Sequence, residues 1–221
     1  MAWLEFVAAY VVFLLSHSLP VRPPLRPLLQ ARLGEVGFTL VYSALSLAGL
    51  AWLIGAAARA PYWPLWDRAP WQTHVPLAIM GGVCLILAFS IARPNPFSFG
   101  GARNDLFDPQ RPGLVRWSRH PLLLALALWA TAHVVPNGDL AHVILFGTFA
   151  AFAALGGRLI DRRKRREMGA DWQRLRSAVA DAPLLPRRVS GGMIARLVAG
   201  GVLYAALLWA HPVLFGVSPL P

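Results

Sequence analysis

Apolar residues in this chain gather in long runs, with neither the strict alternation of a strand nor the narrow stripe of a surface helix. Six runs stand out, at residues 3–19, 36–57, 75–92, 121–136, 140–157 and 193–211. About 20 apolar residues at 1.5 Å rise cross a hydrocarbon core of about 30 Å. The first and fourth runs are short for that task. They are expected as tilted partners in a bundle or as partly re-entrant segments, with four or five full spans as the smaller alternative. The pattern predicts an all-α fold: a polytopic transmembrane helix bundle of about six spans, forming a single membrane domain over residues 1–221.

Polar and turn-forming stretches separate the runs. VRPPLRPLLQARLGE follows the first, PYWPLWDRAPWQ the second and RPNPFSFGGARNDLFDPQRPG the third. VVPNGD joins the fourth and fifth as an antiparallel hairpin. Gly81 and Gly82 in the third run suit close helix approach. After the fifth run, Met168, Trp172, Leu175 and Val179 recur at helical spacing. With basic residues crowding its start, this segment is predicted to be an amphipathic helix on the cytoplasmic membrane surface.

Composition supports lipid as the solvent. The chain is 57% hydrophobic and 14% charged, against about 25% charged for a soluble domain. Its net charge of +11 would suit a nucleic-acid binder, but the placement of the charges argues for a membrane. Three Lys/Arg lie between runs one and two, two between two and three, five between three and four, and none between four and five. Eleven follow the fifth run, Arg196 at the start of the sixth among them. Six spans thus collect nineteen on one side and two on the other. By the positive-inside rule both termini face away from the cytoplasm, and the basic loops lie against anionic lipid. No nucleic-acid partner is expected. The start of the chain lacks a basic leader and an Ala-x-Ala site, so it reads as a retained first span.

Several bland readings come first. Trp63, Trp66 and Trp71 form an aromatic belt at the headgroups. The Gly-Gly-Ala-Arg step at 100–103 lacks the phosphate-loop pattern. Cys84, the single cysteine, reads as a packing residue. No CxxC, CxxCH or HExxH motif occurs, and no Ser-His-Asp arrangement is recognisable.

Histidines carry the remaining chemistry. His74 and His211 sit at run ends where water satisfies them, and His142 lies in the first turn of the fifth run. His17, His133 and His120 are the candidates for haem iron, because a neutral imidazole ligates iron axially and is costly when unpaired in apolar surroundings. The competing reading is a histidine hydrogen-bonded between helices. For His120, Pro121 suits a first helical position, so it also reads as a helix start. His120 and His133 are thirteen residues apart, about 20 Å along a helix, and cannot share one iron unless the helix breaks. Depth along six spans pairs His17 with His120.

The segments FLLSHS, RPPLR, GLVRWSRHPLLLALALWATAHVVPNGD and DRRKRREMGADW resemble the NnrU family of bacterial membrane proteins and its plant relative, 15-cis-ζ-carotene isomerase. The likeness covers roughly residues 5–186. It implies a multi-pass protein of the bacterial inner membrane linked to nitrite and nitric oxide reduction. The isomerase relative implies haem b and redox-dependent isomerisation, with axial ligands at positions matching His17 and His133. That pairing differs from the depth reading, and both stay open here. The isomerase's alternative cysteine ligand falls at Ala130, so no such ligand switch is expected. Its additional histidines are absent from AAFAALGGR.

Two other functions compete. The Arg-His-Pro step also resembles isoprenylcysteine carboxyl methyltransferases, which would turn Arg119 and His120 toward S-adenosylmethionine. That family's following Tyr and Gly are lost in RHPLLLA, and its paired glutamates become Asp161-Arg162. The lack of a recognisable nucleophile or acid–base set suits a non-catalytic assembly factor for a respiratory or denitrification complex.

Overall fold

The computed structural model describes residues 1–186 and 188–221. Among the described residues it holds seven α-helices: α1 (Ala2–Ser18), α2 (Leu25–Arg59), α3 (His74–Ser90), α4 (Pro121–Val134), α5 (Leu140–Met168), α6 (Ala170–Asp181) and α7 (Gly191–Phe215). Every apolar run is helical. Four segments among the described residues have the length and hydropathy to cross a membrane: α2, α3 with its leading turn (Pro70–Ser90), α5 and α7. The runs read as short give the shorter helices α1 and α4, of 17 and 14 residues.

Helices extend past the apolar runs where the sequence remains helix-forming. α2 starts at Leu25, inside the proline-rich loop, and Gly34 breaks it with φ of 72°, a conformation glycine adopts without a Cβ penalty. α5 continues through the basic run to Met168. Arg and Lys are good helix formers, and Glu167 pairs with Arg163 and Lys164 one turn back.

The chain forms two compact units. The first comprises residues 1–66 and 138–145. In it α1 packs against α2. Phe6, Ala9 and Phe13 are buried on one side, Phe38, Leu53, Ala56 and Ala57 on the other. Glu5 in the first turn of α1 meets Arg59 at the end of α2 at 2.5 Å, which makes the pair antiparallel. Trp52 Nε1 also donates to Glu5. The loop after α2 is pinned to the hairpin turn: Leu65 N–H donates to Gly138 O at 2.7 Å, and Leu140 N–H to Trp63 O at 2.9 Å.

The second unit comprises residues 67–137 and 146–221. α3 lies at its centre and packs against both α4 and α7. Cys84 is fully buried there. Gly200 of α7 sits on Leu85 and the Cys84 carbonyl, where a Cβ would come within 2.8 Å of the Leu85 side chain and 3.3 Å of its Cα. The Tyr204 hydroxyl donates to Leu77 O at 2.8 Å. Arg196 donates to the Ala88 and Ile91 carbonyls at the end of α3, where helix carbonyls lack intrahelical partners.

α6 is the amphipathic helix of the sequence pattern, and its apolar stripe is covered by protein. Trp172 and Val179 are buried with Phe97 and Val115, with Phe107, Met168 and Leu175 packed around them. Phe97 meets Trp172 edge-on at 5.2 Å. The loop between α3 and α4 therefore folds onto α6.

The α3–α7 contact gives a paired prediction. Gly200→Leu should destabilise the protein by about 1–3 kcal/mol through overpacking. A Cβ at Gly201 meets no atom within 4 Å, so Gly201→Leu should be neutral or gain up to about 1 kcal/mol of helix propensity. Thermal unfolding in detergent checks both; equal effects would contradict the packing described.

Candidate functional site

Each of the three candidate histidines has its own immediate surroundings, and these differ in one chemical respect: which ring nitrogens are engaged.

His17 occupies the last turn of α1, in the first unit, with an exposed ring. Phe13, one turn earlier, stacks on it at 5.3 Å. Its Nδ1 lies 3.2 Å from Ser46 Oγ and 3.3 Å from the Tyr42 hydroxyl oxygen. That hydroxyl donates to the His17 carbonyl at 2.8 Å. With its hydrogen used there, the Tyr42 oxygen is left to accept from Nδ1, while the Ser46 hydroxyl can donate to that nitrogen or accept from it, so these contacts orient the ring without assigning its proton. Nε2 has no hydrogen-bond partner among the described residues.

His133 occupies the last turn of α4, in the second unit, and is half-buried. Trp129 and Phe146 flank its ring at 5.4 and 5.3 Å. Nδ1 lies 2.7 Å from the Trp129 carbonyl. A carbonyl only accepts, so Nδ1 holds the proton. Nε2 therefore keeps its lone pair and has no hydrogen-bond partner among the described residues. In both histidines neighbours orient the ring through Nδ1, and at His133 the carbonyl also fixes the tautomer, as in histidines that bind metals.

His120 differs. It caps α4 ahead of Pro121, and both of its nitrogens are engaged. Nε2 lies 3.0 Å from Asp161 Oδ1 and Nδ1 lies 3.0 Å from Ser98 Oγ. Arg119 grips the same carboxylate, its Nη2 at 2.7 Å and its Nε at 3.3 Å. The side chains of His120 and Asp161 are only 12% and 13% exposed. Gly157 makes room on α5, because a Cβ there would stand 3.0 Å from His120 Cδ2. Asn95 completes the cluster: its Nδ2 donates to the Arg119 carbonyl at 3.0 Å and its Oδ1 accepts from Phe97 N–H.

Asp161 lies beyond the apolar run of α5, in a stretch too charged for hydrocarbon. Burial pushes its carboxyl pKa up, but the hydrogen bonds and charges of Arg119 and His120 outweigh burial and hold it below the usual carboxylate range.

A serine–histidine–aspartate chain thus exists, contrary to the expectation that none does. It joins residues from three distant segments, so no local motif announces it. In serine hydrolases the carboxylate binds Nδ1 and the serine binds Nε2. Here the order is reversed, Arg119 neutralises the acid, and Ser98 is 6% exposed. The chain is built to hold the loop on α5. Sequence reasoning also missed Asp161 as the common partner of Arg119 and His120. Its signal is a lone acid within the run RLIDRRKRR.

His142 sits with Nδ1 2.7 Å from Asp139. His211 Nδ1 lies 2.8 Å from the Val217 carbonyl, and His74 opens α3. Among the described residues, no group of three or more His, Cys, Asp or Glu is arranged to hold a metal ion. Ligation at His17 or His133 would thus rest on imidazole alone, a donor set suited to haem, whose macrocycle supplies the other iron ligands.

A family model described as "NnrU protein" matches residues 5–219. No curated protein and no solved structure gives a significant match.

Replacing Asp161 by Asn should cost about 1–3 kcal/mol, because Arg119 and His120 lose a charged acceptor. A depressed native pKa contributes stability that is present above the unfolded value of about 3.9 and lost as pH falls through the native value. The gap between wild type and Asp161→Asn should therefore hold from pH 7 to 5 and close in stronger acid. Denaturation in detergent across that range measures it; a gap independent of pH would sink the assignment.

Proposed function

Because the chain belongs to the NnrU family over nearly its whole length, and is a membrane protein of that family, we propose that it binds haem b through imidazole. His17 and His133 are each proposed as an iron ligand, each on its own surroundings. Its role lies in redox chemistry associated with nitrite and nitric oxide reduction, or in a related membrane isomerisation. The carrying observation is the bare Nε2 of each of these histidines beside an Nδ1 committed to a neighbour. An imidazole nitrogen held in this way would be a competent iron ligand, and bound haem would supply one-electron redox chemistry.

The chain's own residues have clear parts in this reading. Ser46 and Tyr42 orient His17. The Trp129 carbonyl fixes the tautomer of His133, and Trp129 and Phe146 give it apolar walls. Apolar surroundings and hydrogen bonding to a ligand are the means by which a protein tunes haem. His120 would have to leave Asp161 or Ser98 to ligate iron, which weakens the pairing argued from depth. The same contacts count against the methyltransferase reading, since Arg119 and His120 are both committed to Asp161.

The charge asymmetry of the loops supports a bacterial inner-membrane location with both termini periplasmic and the basic segments on the cytoplasmic side. A carboxy-terminal alkaline phosphatase fusion should then be active in cells, and an inactive one would reverse the orientation.

Protein purified in detergent from haem-sufficient cells should show a Soret band. His17→Ala and His133→Ala should each shift or abolish it, while His120→Ala should leave its position unchanged. Well-folded protein without a Soret band or iron would defeat the proposal. A band displaced by His120→Ala alone would move the site. Saturable micromolar binding of S-adenosylmethionine by calorimetry would favour the methyltransferase instead.

A further inference from the structure

The second unit contains a small cavity with an uncommon lining. Its volume is about 180 Å³, and it lies where α6 meets the turn before α4. Arg116, Arg119 and Arg176 line it on the polar side, and Phe97, Val115 and Val179 on the apolar side. Among the described residues, no acidic one lines it. Three guanidinium groups converge on a space below the roughly 300–1,000 Å³ of a drug-sized ligand site. A whole cofactor would not fit, whereas a compact anion would.

The arginines are partly anchored. Arg119 is held by Asp161 through Nε and Nη2, which leaves the hydrogens of Nη1 uncommitted. Arg116 uses Nε on the Ala182 carbonyl at 3.0 Å, so the link after α6 fixes its stem and leaves its two terminal amino groups. Arg176 stands exposed on α6, one turn after Trp172. The two terminal amino groups of Arg116 form a planar pair that matches two phosphate oxygens, and Arg119 adds the single donor nitrogen Nη1. Trp172 packs among three of the lining residues, and its buried indole N–H has no hydrogen-bond partner among the described residues.

Apolar surface adjoins the arginines. Trp117 follows Arg116 in the chain and is 64% exposed, with its Nε1 donating to the Leu184 carbonyl at 3.1 Å. Leu184 and Leu185 are exposed too, Leu185 at 72%. Basic residues with exposed Trp and Leu beside them are the mixture found where protein meets the headgroup layer.

We propose that this cavity binds a phosphate group, with Arg116, Arg119 and Arg176 as its donors. Either a lipid headgroup or free phosphate can supply that chemistry. Trp117, Leu184 and Leu185 favour a phosphate carrying an acyl chain. The proposal is independent of haem and concerns a different set of residues.

The test titrates full-length protein in detergent with dioctanoyl phosphatidic acid, dioctanoylglycerol and inorganic phosphate, by calorimetry. Phosphatidic acid should bind saturably, and dioctanoylglycerol, which lacks the phosphate, should not. Arg176→Gln should weaken binding by about tenfold or more, the effect of removing one charged hydrogen-bond donor. Arg162→Gln, on the open basic face of α5, should not weaken it. Arg176 is exposed, so its variant should fold, and an unchanged thermal midpoint verifies this. Inorganic phosphate binding as tightly, with the same dependence on Arg176, would support the site with free phosphate as ligand. Much weaker inorganic phosphate would support the lipid headgroup. Saturation by neither, wild-type affinity in Arg176→Gln, or an equal loss in Arg162→Gln would overturn the proposal.

Discussion

A polar side chain on an apolar helix has no bulk water to fall back on, so it needs a partner from the protein or carries a desolvation cost of a few kcal/mol. That constraint orders the apolar parts of this molecule. Ser18, Ser90 and Thr131 turn their hydroxyls back onto carbonyls of the preceding turn. Tyr204 and Arg196 reach across to carbonyls of α3. Glu5 takes both Arg59 and Trp52. The buried indole N–H groups of Trp3 and Trp172 are exceptions, and against the pairing of the rest a ring nitrogen without a hydrogen bond is informative. His133 presents one at Nε2, and the Nε2 of His17 is likewise without a hydrogen bond, although each ring is held through Nδ1.

On the charged side the organising group is Asp161. It lies at the start of a strongly basic helical extension, which alone would repel itself. One carboxylate joins α5, the Arg-His-Pro step before α4 and, through Ser98, the loop after α3. Beneath this polar junction lies the apolar cluster of Phe97, Val115, Trp172 and Val179. The two sets share a loop, because Asn95 ties the Arg119 carbonyl to the Phe97 amide. Loop, helix start and amphipathic helix thus stabilise one another, and the arginine-lined cavity lies among them.

Much of the fold was legible in the sequence, because the solvent writes a coarse signal. All six apolar runs are helical, and the stripe from Met168 to Val179 is a helix. The boundaries were less legible. Hydropathy reports which residues tolerate hydrocarbon, while helix formation continues wherever propensity and local ion pairs permit, as in Leu25–Leu33 and Arg158–Met168. The partner of the α6 stripe was not legible either. Phe97 and Val115 lie 75 and 57 residues before Trp172, and periodicity within a helix says only that one face wants cover. Lipid and protein satisfy an apolar stripe equally well at the level of pattern. Asp161 was hidden for a related reason: its neighbours in sequence are basic, while the partners it holds lie about 40 residues earlier.

The histidines show the same limit at the scale of a single proton. His120 and His133 lie on either side of one short helix, and residue type gives both the same standing. Their roles separate on the neighbour each meets. A carboxylate at Nε2 of His120 takes that nitrogen's proton as a hydrogen bond and leaves Nδ1 to the Ser98 hydroxyl. A backbone carbonyl at Nδ1 of His133 takes the proton there and leaves Nε2 with its lone pair. Imidazole has one proton to place when neutral, so the acceptor that claims it decides which nitrogen can ligate. Ligand competence follows from the acceptor's position on the ring, and that position is a tertiary or helix-register fact. Depth in the membrane, the criterion that pairs His17 with His120, carries no information about it.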